Sequence, residues 1–411
     1  MQRSDIRAVG QLAGEASSVV TALVQGMHAG IAGRVFTSIG PSAEPTRTVH
    51  DGVAGAVYGG VQRGIRGAAR AAGAVAAELW GDDGAEALES RIGVAEAIAA
   101  VNGLYGDQLD AQDNKLAGNL HIRHCGTSVP PTAEALGSAF PAATGRVAVF
   151  LHGWCLTEQS WRRRPAEGED ARTYGERLRE DAGFTPVFLR YNTGLHVSAN
   201  GRALADLLDH LQAHWPVRVD ELVLVGHSMG GLVVRSACHY GAQQHHRWTE
   251  TVTHVVCLGS PHLGADLEKG VNVAAWALAL LPETRAIAGL LNTRSSGVKD
   301  LRFGACIDED WREADPDEFL RDRCHEVPFL PGATYHSVTA TAGSPAVGAI
   351  VGDHLVRSRS ASGQGKPRSI PFEQQHGLTL TGLNHFDLLN HPLIYAKLRD
   401  WIAADTGGTL A

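Results

Sequence analysis

The apolar positions of this chain change period about a quarter of the way along. Before residue 104 they recur as on helix faces. Leu12, Val19, Val20, Leu23, Met27 and Ile31 are spaced by three, four or seven residues. Pro41 and Pro45 break that segment. Val53, Val57, Val61 and Ile65 form a second face, with Gly55, Gly59, Gly60 and Gly64 leaving room for another helix. A third helix is expected over 83–101, carrying Leu88, Ile92 and Ile98.

From Asn119 the pattern shortens. Leu120-His121-Ile122-Arg123-His124 alternates and predicts a strand, and 127–144 reads as a loop rich in Pro, Ser and Ala. Short apolar runs bounded by turn residues then follow at 146–151, 186–191, 221–225, 254–258, 335–341 and 378–381. Helical patterns such as 202–211 separate several of them. Alternating strands and helices predict an α/β fold, a mostly parallel sheet with helices on both faces. The expected organisation is a helical N-terminal module over 1–104 and an α/β domain over 119–411. The longest gap between strands makes an insertion at about 265–331, with an apolar segment at 271–282 that includes Trp276, and an acidic stretch at 308–322.

Composition narrows the function. The 411 residues are 19% charged and 44% hydrophobic, with a net charge of −8. The Lys and Arg residues are dispersed, so nothing points to nucleic acid or to a polybasic membrane contact. Arg63, Arg66 and Arg70 read as a solvated stripe. Six cysteines over this length do not make a disulfide framework. The N-terminus does not lead into a signal-peptide core, and the uncharged stretch 16–33 is too polar for a spanning helix. A cytoplasmic protein is expected. The apolar faces of the N-terminal helices are built from small residues. They are expected to pack on the α/β domain or to self-associate, ahead of peripheral membrane contact.

The chemistry centres on Gly226-His227-Ser228-Met229-Gly230-Gly231, between the apolar run 222–225 and a helical segment at 232–237. Strand, tight turn and helix in that order are the context of a nucleophile elbow, with Ser228 as nucleophile. A serine needs a base, and the base needs an orienting acid. The expected acid is Asp353, in Val351-Gly352-Asp353-His354-Leu355-Val356. It is preferred over Asp308, Asp310, Asp315 and Glu326, which precede the strand at 335–341. The expected base is His385, just beyond the last strand. Its rival His391 precedes Pro392 and reads as a capping or packing residue. Oxyanion donors are assigned to the N–H groups of Met229 and of Trp154, in Leu151-His152-Gly153-Trp154-Cys155. His152 reads as a structural hydrogen-bonder. His121 and His124 are three apart on a strand and point to opposite faces, so they do not form a metal site. No Gly-rich phosphate signature is present.

Five stretches together resemble the α/β-hydrolase superfamily, specifically its serine esterases and lipases. They are Leu151-His152-Gly153, Gly226 to Gly231 as quoted, Leu258-Gly259-Ser260-Pro261-His262-Leu263-Gly264, Gly352-Asp353-His354-Leu355-Val356 and Asn384-His385-Phe386-Asp387-Leu388-Leu389. The fourth is similar to a Gly-Asp-Gly-Leu-Val stretch in relatives of triacylglycerol lipases and in GPI inositol-deacylase-like proteins, with His354 at the second Gly. The resemblance covers 146 to the C-terminus. It implies an α/β-hydrolase fold and hydrolysis of lipid-like carboxylic esters through an acyl-enzyme, with no metal or organic cofactor. It also implies a cap formed by the insertion, with Trp276 and Leu263 expected at the substrate. An acyltransferase using the same triad and a non-enzymatic scaffold are the alternatives.

Overall fold

The computed structural model describes residues 92–406 except 115, 164–169, 266–267, 270–293, 314, 316, 319–321, 342–355 and 366–367, together with part of 25–63. The apolar positions expected to carry the first two N-terminal helices lie outside the described residues, as do Asp353 and Trp276.

The sheet has eight strands: β1 (His121–His124), β2 (Thr127–Val129), β3 (Arg146–Leu151), β4 (Thr185–Arg190), β5 (Glu221–His227), β6 (Val252–Leu258), β7 (Thr334–Thr341) and β8 (Gly377–Thr381). Their order is β2-β1-β4-β3-β5-β6-β7-β8. The six from β4 to β8 run parallel, and β1 and β2 add an antiparallel edge. This is the doubly covered, mostly parallel sheet of an α/β-hydrolase fold. The order reverses at β3. The chain steps outward to β4 and then returns to pair β5 with β3, Leu151 opposite Gly226. In open α/β sheets, ligands bind at the carboxyl ends of strands beside such a reversal.

Both faces of the central strands β3, β5 and β6 are dry, which is why they read as continuous apolar runs, whereas the edge strand β8 alternates with solvent. Val147, Val149, Leu151, Leu222 and Leu224 face α4 (Val197–His214) and α5 (Met229–Gln243), meeting Leu204, Leu208, Leu232 and Val233. Ala148, Phe150, Val223 and Val225 face α3 (Tyr174–Ala182) and α6 (Pro392–Thr406), meeting Tyr174, Leu178, Ile394 and Leu398. Tight packing follows: a Cβ on Gly201 of α4 would lie 2.0 Å from Ser236 Oγ of α5.

Two expectations are corrected. The segment 127–144 is not all loop. It holds β2 and α2 (Ala133–Ala139), whose N-cap Thr132 accepts a hydrogen bond from the Ala135 N–H. β2 pairs with β1 alone, as a tight hairpin across Cys125-Gly126, and three residues are too few to show an alternating period. The third N-terminal helix, α1 (Ile92–Ala111), runs ten residues beyond the expected 101, with a kink at Tyr105. Tertiary contacts draw it on. Leu109 is buried with Leu116, and the Asn102 side-chain amide donates to Leu116 O (2.7 Å) and accepts from the Gly118 N–H (2.9 Å). The expected domain boundary at 104 therefore falls inside this helix.

The described part of the insertion seats Leu301, Ile307, Val327 and Leu330 in the core and is also cross-linked by buried charge pairs. Buried Glu268 accepts from Arg294 (2.6 and 2.8 Å) and Arg302 (3.0 Å). Asp308 accepts from Arg202 and Arg312, both at 2.6 Å. Asp310 accepts from the N–H groups of Cys306, Ile307 and His325. All six cysteines are free thiols. Among the described residues, no helix is long and apolar enough to cross a membrane.

Candidate active site

The elbow is built by steric necessity. Ser228 sits between β5 and α5 at φ 53° and ψ −122°, a sparsely populated region that costs on the order of 1–3 kcal/mol. Its N–H donates to Leu258 O on β6 (2.8 Å), and its carbonyl accepts from the Gly231 N–H (3.1 Å). A Cβ on Gly226 would lie 2.5 Å from the Gly230 carbonyl carbon. One on Gly230 would lie 2.6 Å from Leu151 O. The turn can therefore close, and lie against the end of β3, only with glycine at both positions. Met229 is the first residue of α5. Its N–H has no acceptor within the helix, and the helix dipole adds positive potential there.

The loop after β3 reaches the same point. A Cβ on Gly153 would lie 3.0 Å from Ser228 Cβ and 2.9 Å from His227 Nδ1. Trp154, next in the chain, is partly buried. Its indole Nε1–H donates to Gly103 O on α1 (2.8 Å), and its backbone N–H meets no acceptor among the described residues. His152 is buried and stacks on Tyr191 at 4.6 Å. Its Nδ1 donates to Gly153 O (2.9 Å), and burial pushes its pKa down to about 4. A neutral ring fixed in this way holds the loop.

His385 is buried on the turn that follows β8. A Cβ on Gly259 would lie 3.1 Å from its Cε1, which places the ring at the carboxyl end of β6, one residue past the carbonyl that receives the Ser228 N–H. Asn384 and Asp387 set this turn as a capping box. Asn384 Oδ1 accepts from the Phe386 and Asp387 N–H groups, and Asp387 Oδ2 accepts from the Asn384 N–H (2.8 Å). Arg163 bonds Asp387 at 3.0 Å from outside. His391 lies at the start of α6, where its Nδ1 accepts from the Leu393 N–H (3.3 Å) and its N–H donates to the Tyr174 hydroxyl (2.8 Å).

His227, the variable residue inside the serine signature, is the contributor that sequence reasoning passed over. Its Nε2 lies 3.1 Å from His385 O, and the two rings are 4.7 Å apart. A carbonyl only accepts, so His227 carries its proton on Nε2. Burial, with the His385 charge adding to it, holds the ring well below the usual histidine range and so uncharged. His227 thus ties the Ser228 turn to the His385 turn. No local pattern announces that bond, because 158 residues separate the partners. The Asn384 and Asp387 box was open to reading from its spacing.

Other expected residues fall elsewhere. Leu263 presents its N–H to Ser360 Oγ (3.1 Å), and its side chain lies against the segment at Gly365. The Cys155 and Cys257 thiols are pushed up to about 12 by burial and carry no thiolate. A cavity of about 690 Å³ opens between α1 and the insertion, lined by His196, Lys299, Asp300, Trp311 and others, but not by Ser228, Met229, Trp154 or His385. Among the described residues, no group of three His, Cys, Asp or Glu side chains is placed to hold a metal.

Residues 142–276 match the family model of the PGAP1-like alpha/beta domain. That span contains the loop after β3, the elbow and the turn after β6. No curated protein sequence matches the chain. Among solved structures, the chain is similar to the mature form of the lipase BlEst2 from Bacillus licheniformis. Identity is 19% over 62% of this chain and 91% of that one, with a TM-score of 0.40. An alpha/beta hydrolase fold protein from Chitinophaga pinensis is 10% identical over 64% and 91%, with a TM-score of 0.37. The phospholipase PlaB from Legionella pneumophila is 15% identical over 59% and 53%, with a TM-score of 0.36.

Proposed function

We propose that this chain is a serine hydrolase that cleaves carboxylic esters with lipid-like acyl groups. The observation that carries the reading is the convergence at Ser228. A strained serine stands at the N-terminus of α5, with the loop after β3 against its Cβ and the His385 ring beside the strand that anchors it. Ser228 Oγ attacks the ester carbonyl, and His385 takes its proton. Asp353 orients the imidazole and stabilises its cation. The N–H groups of Met229 and Trp154 bind the oxyanion of the tetrahedral intermediate. His385 then protonates the leaving alcohol, and water repeats the sequence to free the acid.

A fluorophosphonate probe tests the nucleophile directly. The native protein should be labelled on Ser228 and should hydrolyse p-nitrophenyl butyrate. Ser228→Ala should fold normally, resist labelling and lose on the order of 10⁴-fold or more in kcat. A folded Ser228→Ala protein with most of its activity would overturn the assignment.

A further inference from the structure

Helix α1 precedes the family-matched region, yet its contacts converge on the loop after β3. Trp154 Nε1–H donates to Gly103 O (2.8 Å), and Ser295 Oγ–H donates to the same oxygen (2.6 Å). The Ser295 N–H donates to Leu104 O (2.9 Å), and Cys155 Sγ lies 3.7 Å from Ala100 O. Carbonyls inside a regular helix are committed to N–H groups four residues on. Here the helix kinks at Tyr105 (φ −138°), and the Gln108 N–H, which would meet Leu104 O, bonds Asp107 Oδ1 at 2.9 Å. At this kink the carbonyls of Gly103 and Leu104 accept from the loop after β3 and from the insertion.

The approach is as close as the chain permits. A Cβ on Gly103 would lie 2.2 Å from Cys155 Sγ, 2.9 Å from Trp154 Nε1 and 3.3 Å from Cys155 Cα. Cys155 itself has φ +59°, a left-handed conformation that non-glycine residues rarely adopt. Its N–H is held by Thr193 Oγ1 (3.2 Å). The loop that carries Gly153 against Ser228 is thus strained and fixed from two sides, one of them α1.

We infer that α1 sets the oxyanion loop, with Gly103 as a positioning residue whose carbonyl, shared by Trp154 and Ser295, fixes where the Trp154 N–H points. This rests on the ester-hydrolase reading above. Gly103 touches no reacting atom. It acts through Trp154.

The test uses the full chain and p-nitrophenyl butyrate. Gly103→Ala inserts the forbidden Cβ, and Trp154→Phe keeps a ring but removes the Nε1–H. Each should lower kcat by about 10- to 100-fold, with KM within about threefold, because a misplaced oxyanion donor affects the transition state and not the bound ester. The double variant should be no worse than the weaker single one, since both break one contact. Leu109→Ala loosens the far end of the same helix. At a comparable loss of Tm it should keep kcat within about threefold. Parallel losses of kcat in Gly103→Ala and Leu109→Ala would reduce the contact to ordinary packing, and an unchanged kcat in Gly103→Ala would overturn it outright. If Gly103→Ala does not fold, Trp154→Phe against Leu109→Ala decides alone. Absence of Ser228-dependent hydrolysis in the native protein would instead sink the ester-hydrolase reading, which separates the two failures.

Discussion

At the elbow, Ser228 is held by backbone: a positive φ, two glycines and a hydrogen bond to the neighbouring strand. In the insertion between β6 and β7, Glu268 is held by side chains: two guanidinium groups from Arg294 and Arg302, nearly all of it out of water. The positive φ and the two glycines of the first arrangement are specified within five residues, and only its hydrogen bond reaches out, to Leu258. The second joins positions 26 and 34 residues apart. Backbone constraint places one atom to within fractions of an ångström and tolerates little substitution. Ion pairing fixes a segment whose described regular structure is short, Ser296–Asp300 and Asp308–Asp310, and it fails when one partner is removed. The first positions one side chain, and the second holds a whole segment against the domain.

The largest expected effect lies on the elbow side. His385→Ala should cost about as much as loss of the nucleophile, on the order of 10⁴-fold in kcat, because base and nucleophile act as a unit. His391→Ala should leave kcat within about threefold and lower stability by about 1 kcal/mol, the usual value of a helix cap. Purified, folded variants ranked the other way round would show that the base had been misassigned.

On the insertion side, Glu268→Gln should strip the shared carboxylate from Arg294 and Arg302. Removing one member of a buried charge cluster costs about 3–5 kcal/mol. Chemical denaturation should show that loss, while fluorophosphonate labelling of the folded fraction at Ser228 should persist. A loss of labelling in folded protein would mean that the two regions are not independent.

Acid should separate them further. His152 has its pKa pushed down to about 4, and His227 is held well below its usual range, both by burial. In the unfolded chain they titrate near 6.5. Below pH 6.5 the unfolded state therefore binds more protons, so their contribution is complete above pH 6.5 and is lost as pH falls toward 4. Asp308 in the insertion is also shifted downward, but for a carboxylate that favours the charged form. Burial alone would raise it, but the Arg202 hydrogen bond and charge hold it below the ordinary carboxylate value, so it stays ionised through the same window. Between pH 7 and pH 5 the native protein should lose about 2 kcal/mol more stability than His152→Asn, which cannot charge. Equal slopes in the two proteins would mean that His152 is solvated in the folded state.

What could be read from the sequence follows the same division. The parallel strands, the elbow and the capping role of His391 rest on short-range patterns: apolar runs, glycines at fixed offsets, a proline after a histidine. The His227 to His385 bond rests on partners far along the chain that no window of sequence contains, whereas β2 is a three-residue strand paired with β1 across Cys125-Gly126, too short to show a period, and the end of α1 is held by Leu116 and Gly118 just beyond it. The Glu268 cluster was illegible for the same reason as the His227 bond, since a single glutamate looks alike whether it is solvated or buried against arginines 26 and 34 residues on.

Trp276 offers the smallest effect and the finest test of the comparison, because it asks whether the insertion takes part in function at all. The apolar stretch that contains it, with Val273, Leu278, Leu280 and Leu281, lies outside the described residues. Side chains of this kind gain roughly 1.5–3 kcal/mol each on full burial. The insertion leaves the sheet just after Ser260-Pro261-His262, on the carboxyl-end side where Ser228 stands. If this stretch forms a cap over the acyl chain, each CH₂ it covers contributes about 0.8 kcal/mol, or about fourfold in kcat/KM. Trp276→Ala should then weaken octanoate hydrolysis by about tenfold while leaving acetate hydrolysis within about twofold, since a two-carbon acyl group does not reach the cap. Equal losses on both esters would place the stretch in the core. The insertion would then be scaffold only, and the acyl pocket would have to be sought among residues of the sheet face itself.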